Sequence, residues 1–145
     1  HGIFIDVSHA SDTSIAELLD VQVRPVIASR SGCRALLRNA RNLTNTQIVQ
    51  IAKTGGIVCV PFAKKMVYSV GGVADHIDHV CQTAGTISAV GIGSDLDGAE
   101  MVPGCYGAQD WSKVVVDGLM QHGYSDEQIL AVAGGNALRL LGGSS

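Results

Sequence analysis

Short apolar runs punctuate this chain, and amphipathic stretches fill the spaces between them. Gly2 to Val7 (GIFIDV), Pro25 to Ser29 (PVIAS), Ile57 to Phe62 (IVCVPF) and Ala89 to Gly93 (AVGIG) are rich in β-branched residues and read as buried strands. Pro25 fits only the first position of its strand, because it has no N–H to give a ladder. The helical signals lie between and after these runs. Ser14 and Glu17 have capping-box spacing ahead of Leu18 and Leu19, which predicts a short helix ending near Asp20. Thr44 and Gln47 repeat that spacing; Ile48, Ile51 and Ala52 form one stripe, and Gly55 and Gly56 stop the helix. After a loop from Ala63 to Gly72, Val73, Ile77 and Val80 share the face of a helix that ends near Gly85. From Asp110 onward the pattern is helical: Val114 to Met120, Ser125 to Val132 behind another capping box, then Asn136 to Leu141.

Apolar strands alternating with amphipathic helices predict βα units and a parallel sheet, since parallel neighbours need a crossover and usually get a helix. The expected class is α/β. Polar residues follow the apolar runs directly: Ser8 and His9, Ser29 and Arg30, Asp95 and Asp97. Carboxyl ends of parallel strands are where such folds build their sites.

Composition supports one globular domain over residues 1–145, with 46% hydrophobic, 16% charged and only 4% aromatic residues, hence an aliphatic core. The formal charge of -3 gives no general attraction to nucleic acid. No apolar run approaches the roughly 20 residues needed to span a bilayer, and the first residues have no signal-peptide pattern, so a soluble chain is expected, with the cytoplasm the favoured compartment. Cys33, Cys59, Cys81 and Cys105 are widely spaced, with no C-x-x-C pair. Cys59 and Cys81 read as core residues, and a two-disulfide framework is the lesser alternative.

Three constellations could carry chemistry. DVSH, Asp6 to His9, puts an imidazole just past a strand end, where a metal ligand or general base would stand; the competing account is a histidine that hydrogen-bonds a turn. GIGSDLDG, Gly91 to Gly98, offers Asp95 and Asp97 as ligands or proton carriers, against aspartates that merely cap a turn. DHIDH, Asp75 to His79, could pair His76 and His79 across one helical turn. It lacks a glutamate at zincin spacing and reads instead as a solvated face.

Arg30, Arg34, Arg38 and Arg41 fall at spacings that would line them up on a helix. A solvated helix face accounts for Arg34 and Arg38. Arg30 follows its strand too closely for that helix, and Asn39 and Asn42 suggest the helix ends around Arg41, so these two need another explanation.

IDVSHASD, PVIASRS, RNL before its capping box, VADHIDH, VGIGSDLDG and GYSDEQILAVAGGNALRLL, in this order, resemble the C-terminal half of the renal (membrane) dipeptidase family of zinc metallopeptidases. The resemblance implies a (β/α)8 barrel with a binuclear zinc site at the strand carboxyl ends, and hydrolysis of dipeptides. It makes His9 a ligand of the second zinc, Asp95 a ligand of the first and a proton carrier, and Arg41 the clamp for the substrate carboxylate. A guanidinium suits that last task because it binds a carboxylate through two parallel hydrogen bonds. The family's H-x-D motif, bridging glutamate and substrate-side histidine belong to the N-terminal half and have no counterpart here. The position of the second histidine on the second zinc is Arg30, which cannot ligate a metal.

A complete barrel takes about 250 residues, so the expectation is a parallel half-barrel of four strands whose open edges pair with a second copy or with an N-terminal half. Three functions are weighed. One is a zinc dipeptidase, with Asp95 catalytic, Arg41 and Arg30 on the substrate, and little activity in this chain alone. The others are a catalytically silent carboxylate-binding module and a binder of a phosphorylated ligand.

Overall fold

In the computed structural model, which describes residues 3–21, 24–107 and 109–142, four strands form one sheet: β1 (Ile5–Asp6), β2 (Val26–Ala28), β3 (Ile57–Val60) and β4 (Val90–Ile92). Their order is β1-β2-β3-β4 and every pairing is parallel, with Ile5 opposite Val26, Ile27 opposite Ile57 and Val58 opposite Val90. This is the expected α/β half-barrel. The strands are shorter than the apolar runs, β1 most of all, since as an edge it has a single neighbour to define its ladder. Gly2, at the start of its expected span, lies outside the described residues.

Among the described residues, seven α-helices alternate with or follow the strands: α1 (Asp12–Val21), α2 (Asn45–Lys53), α3 (Lys64–Val67), α4 (Val70–Ala84), α5 (Trp111–Gln121), α6 (Asp126–Leu130) and α7 (Asn136–Leu140). The capping boxes at Thr44/Gln47 and Ser125/Gln128 are both formed, and Gly85 ends α4 in the left-handed conformation. Ser14 and Glu17 do not begin α1. It starts at Asp12, and the Ser14 N–H donates to Ser11 Oγ at 3.1 Å, so Ser11 takes the capping position. The expected loop from Ala63 to Gly72 contains α3, a single turn too short to show a hydrophobic period. Nor does the last helix break after Val132. A π turn over Ala131–Gly135 joins α6 to α7 and brings Asn136 beneath the sheet, where its Nδ2 donates to the carbonyls of Ile87 and Val90, each at 2.8 Å.

Alternation along the strands divides the sheet. Val26, Ala28, Val58, Val60 and Val90 are buried against Ile48 and Ile51 of α2, Val73, Ile77 and Val80 of α4, and Val115 and Leu119 of α5. On the other side, Phe4, Ile27, Ile57 and Cys59 line an apolar cleft of about 270 Å³ partly covered by Ala137, Leu140 and Leu141. All four cysteines are free thiols. Burial pushes Cys33 and Cys59 up to about 12, so neither offers a thiolate nucleophile near neutral pH. No described helix is long and apolar enough to cross a membrane.

Candidate active site

At the carboxyl ends of β1 and β2 a small polar network forms around Asp6. Its Oδ1 accepts the N–H of Ser8 at 2.9 Å and of Ser29 at 3.0 Å, and its Oδ2 accepts the Ser29 hydroxyl at 2.5 Å. Partial loss of water works against ionisation of Asp6. The donors from Ser29 and Ser8 more than offset it, so the carboxyl lies below its ordinary range. Ser8 Oγ in turn accepts the Arg30 N–H at 3.0 Å. The ends of the two strands are thereby fixed to each other, and with them the directions in which His9 and Arg30 leave. From the other side Gly93, just past β4, comes against Ser29, where a Cβ would meet the carbonyl oxygen at 1.9 Å, so only glycine lets these strand ends lie this close.

His9, Arg30 and Asp95 come together. Arg30 Nη2 lies 2.9 Å from His9 Nε2, its Nε is 3.2 Å from Asp95 Oδ1, and its Nη1 donates to Ser29 Oγ at 3.3 Å. His9 and Asp95 both have left-handed backbone, at φ 77° and 65°, as does Asp97 at 63°. Such conformations cost a non-glycine residue free energy and gather at functional loops. Asp97, at the matching point of the same turn, is exposed and has none of these contacts. Of the two candidate aspartates, Asp95 alone joins the cluster.

Arg41 approaches the same region from a different element. With Arg34, Arg38 and Asn39 it lines one wall of a cleft of about 540 Å³, whose opposite wall is His9 to Asp12. Its Nε and Nη2 are shielded from water and have no hydrogen-bond partner. These atoms carry the parallel N–H pair that grips a carboxylate side-on.

The helix expected through the arginines does not form; residues 34–36 and 40–41 are turns, joined by a bend and irregular backbone over 37–39. Buried side chains displace it. Asn42, fully buried, accepts the Gly32 N–H at 3.0 Å and donates to the carbonyls of Leu37 and Met66 at 3.0 and 2.9 Å. Asn39 donates to the Lys65 carbonyl and accepts the Arg41 N–H, both at 2.8 Å. Side-chain bonds to the backbone thus offer the chain an alternative to helix. Arg34 is consequently no solvated helix residue. It binds Asp12 through two hydrogen bonds at 2.7 and 2.9 Å and the Asn42 carbonyl at 2.8 Å, and together with Gln47 it draws the Asp12 carboxyl down to about 2. Arg38 is exposed, as expected.

DHIDH is not a uniformly solvated face either. His76 is 2% exposed, and its Nδ1 accepts the Cys33 N–H at 2.8 Å, which pins the arginine loop to α4. Burial holds its imidazole down to about 4. His79 meets Asn45 Oδ1 at 2.9 Å, while Asp75 and Asp78 face His122 and Tyr124 at 3.0 and 2.8 Å. This motif ties helices together on the outer layer, away from the strand ends.

The membrane dipeptidase model, peptidase family M19, matches residues 1–144. The chain belongs to that family. Dipeptidase 3 of Homo sapiens is 36% identical to this family member over 146 residues, covering 96% of this chain and 29% of the relative. Dipeptidase ataJ of Aspergillus terreus is 34% identical, over 97% of this chain and 36% of its own. The crystal structure of a metallopeptidase from Rhodobacter sphaeroides, liganded with a phosphinate mimic of the dipeptide L-Ala-D-Ala, matches with a TM-score of 0.89 at 26% identity, over 97% of this chain and 42% of that one. This M19 chain therefore spans well under half the length of these relatives.

The family is one of metallopeptidases, and the donor set can be judged against a metal ion. Among the described residues no three His, Cys, Asp or Glu side chains group closely enough to hold one. His9 and Asp95, the expected ligands, are both engaged by Arg30. The described residues of this chain do not by themselves fit a zinc centre. The structure brings His9, Arg30 and Asp95 together and sets Arg41 on a cleft that His9 also lines; Asp6, which organises the strand ends, has no role in the sequence-based expectation. Its signal was a carboxylate inside an apolar run, on the side of the strand that leads to Ser8.

Proposed function

We infer that this chain forms one side of the substrate cleft of a dipeptide hydrolase, in which Arg41 takes the free carboxylate and Asp95 handles the proton at the scissile amide. The observation that carries this reading is the unmatched donor pair of Arg41 beside a cleft that His9 also lines. Buried guanidinium N–H groups without partners are costly, and a carboxylate would satisfy both at once. Asp95 stands at a strand carboxyl end, ionically paired and turned by a strained backbone, as a proton carrier placed by its scaffold would be. In M19 relatives a bound metal would polarise the carbonyl and activate water. A catalytic zinc takes about three protein ligands, so little hydrolysis is expected from this chain alone.

The test is a titration of the chain with N-acetyl-alanine, followed by calorimetry, beside hydrolysis of L-Ala-D-Ala with and without added zinc. Arg41→Gln should weaken carboxylate binding by about 10- to 100-fold, the worth of a charge-assisted pair. Equal affinity in both proteins would remove Arg41 from the role. Binding without hydrolysis at any zinc concentration supports the silent carboxylate-binding module, the reading that the occupied His9 and Asp95 favour.

The chain is further proposed to fold as one unit and to close its sheet against a second copy or an N-terminal half. Support comes from β1 and β4, which are open edges, and from the apolar cleft on the inner side of the sheet. Sedimentation at decreasing concentration checks this; a well-folded monomer at the lowest concentrations is the contrary result.

A further inference from the structure

The geometry points to Arg30 as a resident cation that takes the place of a metal ion between His9 and Asp95. A guanidinium has five N–H donors and no acceptor. Its Nη2 contact with His9 Nε2, at 2.9 Å, therefore requires that nitrogen to present its lone pair. That is the lone pair through which His9 would bind a metal. On the other side, Nε faces Asp95 Oδ1 at 3.2 Å, which engages the second expected ligand. The Arg30 side chain is tied to the network that Asp6 organises by Nη1, which donates to Ser29 Oγ, while its backbone N–H donates to Ser8 Oγ and fixes the point from which the side chain leaves.

A cation held in this way reverses the preference of the site. It rejects a second cation by charge and by occupying its donors, and it favours an anionic or strongly dipolar oxygen. The two hydrogen bonds, to Ser29 and His9, use one N–H on each terminal nitrogen and leave one N–H on each free, while Nε meets Asp95 as an ion pair. Those two can hold a ligand oxygen, such as the polarised carbonyl of a peptide, while a fixed positive charge lies behind them. Arg41 lines a cleft that His9 borders and Arg30 contacts that same His9, so Arg41 would hold a carboxylate and Arg30 a carbonyl on either side of it.

The test uses zinc alone as the probe and the His9 imidazole as the reporter, read in nitrogen-15 spectra of the 145-residue chain. In the unaltered chain the His9 resonances should stay in place at several-fold excess zinc. Arg30→His removes the blocking cation and adds a ligand, and should move those resonances with an apparent zinc affinity at least about 10- to 100-fold higher. Should Arg30→His not fold, Arg30→Ala frees the His9 lone pair without adding a ligand and should still make His9 respond more than in the unaltered chain. A His9 response in the unaltered chain equal to that of the variants overturns the proposal, as does a variant that folds and responds no better. Neither result bears on the dipeptide reading, which stands or falls on carboxylate binding at Arg41.

Discussion

Arg41 and His9 line one cleft, yet they are presented in opposite ways. The Arg41 loop hangs from buried side chains: Asn42 spans three backbone groups, His76 accepts the Cys33 N–H, and Gly32 leaves no room for a Cβ, which would lie 2.7 Å from Asn42 Oδ1. His9 sits on an exposed turn, held by left-handed backbone and by polar contacts open to water. Buried anchors fix position at a large cost if broken, whereas strained, exposed turns keep a side chain available and cost little to alter. Under the function proposed above, a carboxylate clamp at Arg41 has to be stationary, whereas a side chain that exchanges partners, as His9 would, has to be reachable.

The contrast is easiest to break at Asn42. Asn42→Ala removes three hydrogen bonds of a fully buried amide and should cost about 3–5 kcal/mol in urea unfolding, with carboxylate binding lost in parallel. A loss under about 1 kcal/mol would mean the loop does not depend on its buried amide. Acid probes the second anchor. His76 titrates near 4 when folded and near its ordinary 6.5 when unfolded, so the unfolded chain takes up the proton first as pH falls. Stability is then unaffected by His76 above about pH 6.5, declines between 6.5 and 4 by about 3 kcal/mol, and declines no further on its account below that. His76→Asn keeps an acceptor for the Cys33 N–H but cannot titrate, and should flatten this part of the pH profile.

The same contrast explains what could be read from the sequence. The strands, two of the capping boxes and the Gly85 stop are local signals, and each appears where its residues predict. The helix proposed through Arg34 and Arg38 fails because its competitor is not local: Asn42 reaches Met66, and His76 arrives from more than 40 residues away. Spacing cannot reveal that a polar side chain will be buried against a distant carbonyl. The meeting of His9, Arg30 and Asp95 is intermediate. Each follows an apolar run, so parallel topology alone brings them to one end of the sheet. That Arg30 would lie between the other two depends on Asp6 and the two serines, whose roles emerge only when β1 and β2 are paired.

Smaller effects sharpen the comparison on the exposed side. Asp6→Asn keeps an oxygen for the N–H groups of Ser8 and Ser29 but loses the charged acceptor for the Ser29 hydroxyl. It should cost about 1 kcal/mol, and more visibly should loosen Arg30, read as faster exchange of its Nε–H in nitrogen-15 spectra.

The finest test lies within a single turn. Asp95 and Asp97 have nearly the same left-handed φ, 65° and 63°, two residues apart, and only Asp95 meets Arg30. Replacing either by glycine relieves the same backbone strain and adds the same freedom to the unfolded chain, so these terms cancel between the two variants. Asp97→Gly should leave stability unchanged or raise it by up to about 0.5 kcal/mol. Asp95→Gly should fall below it by about 0.5–1 kcal/mol, the worth of a partly exposed ion pair whose side chains are 36% and 19% accessible. Repeating both in the Arg30→Gln background completes the argument. If the difference between the two glycine variants vanishes there, it belonged to the ion pair; if it persists, Asp95 is held by something other than Arg30, and the cation's claim on it fails.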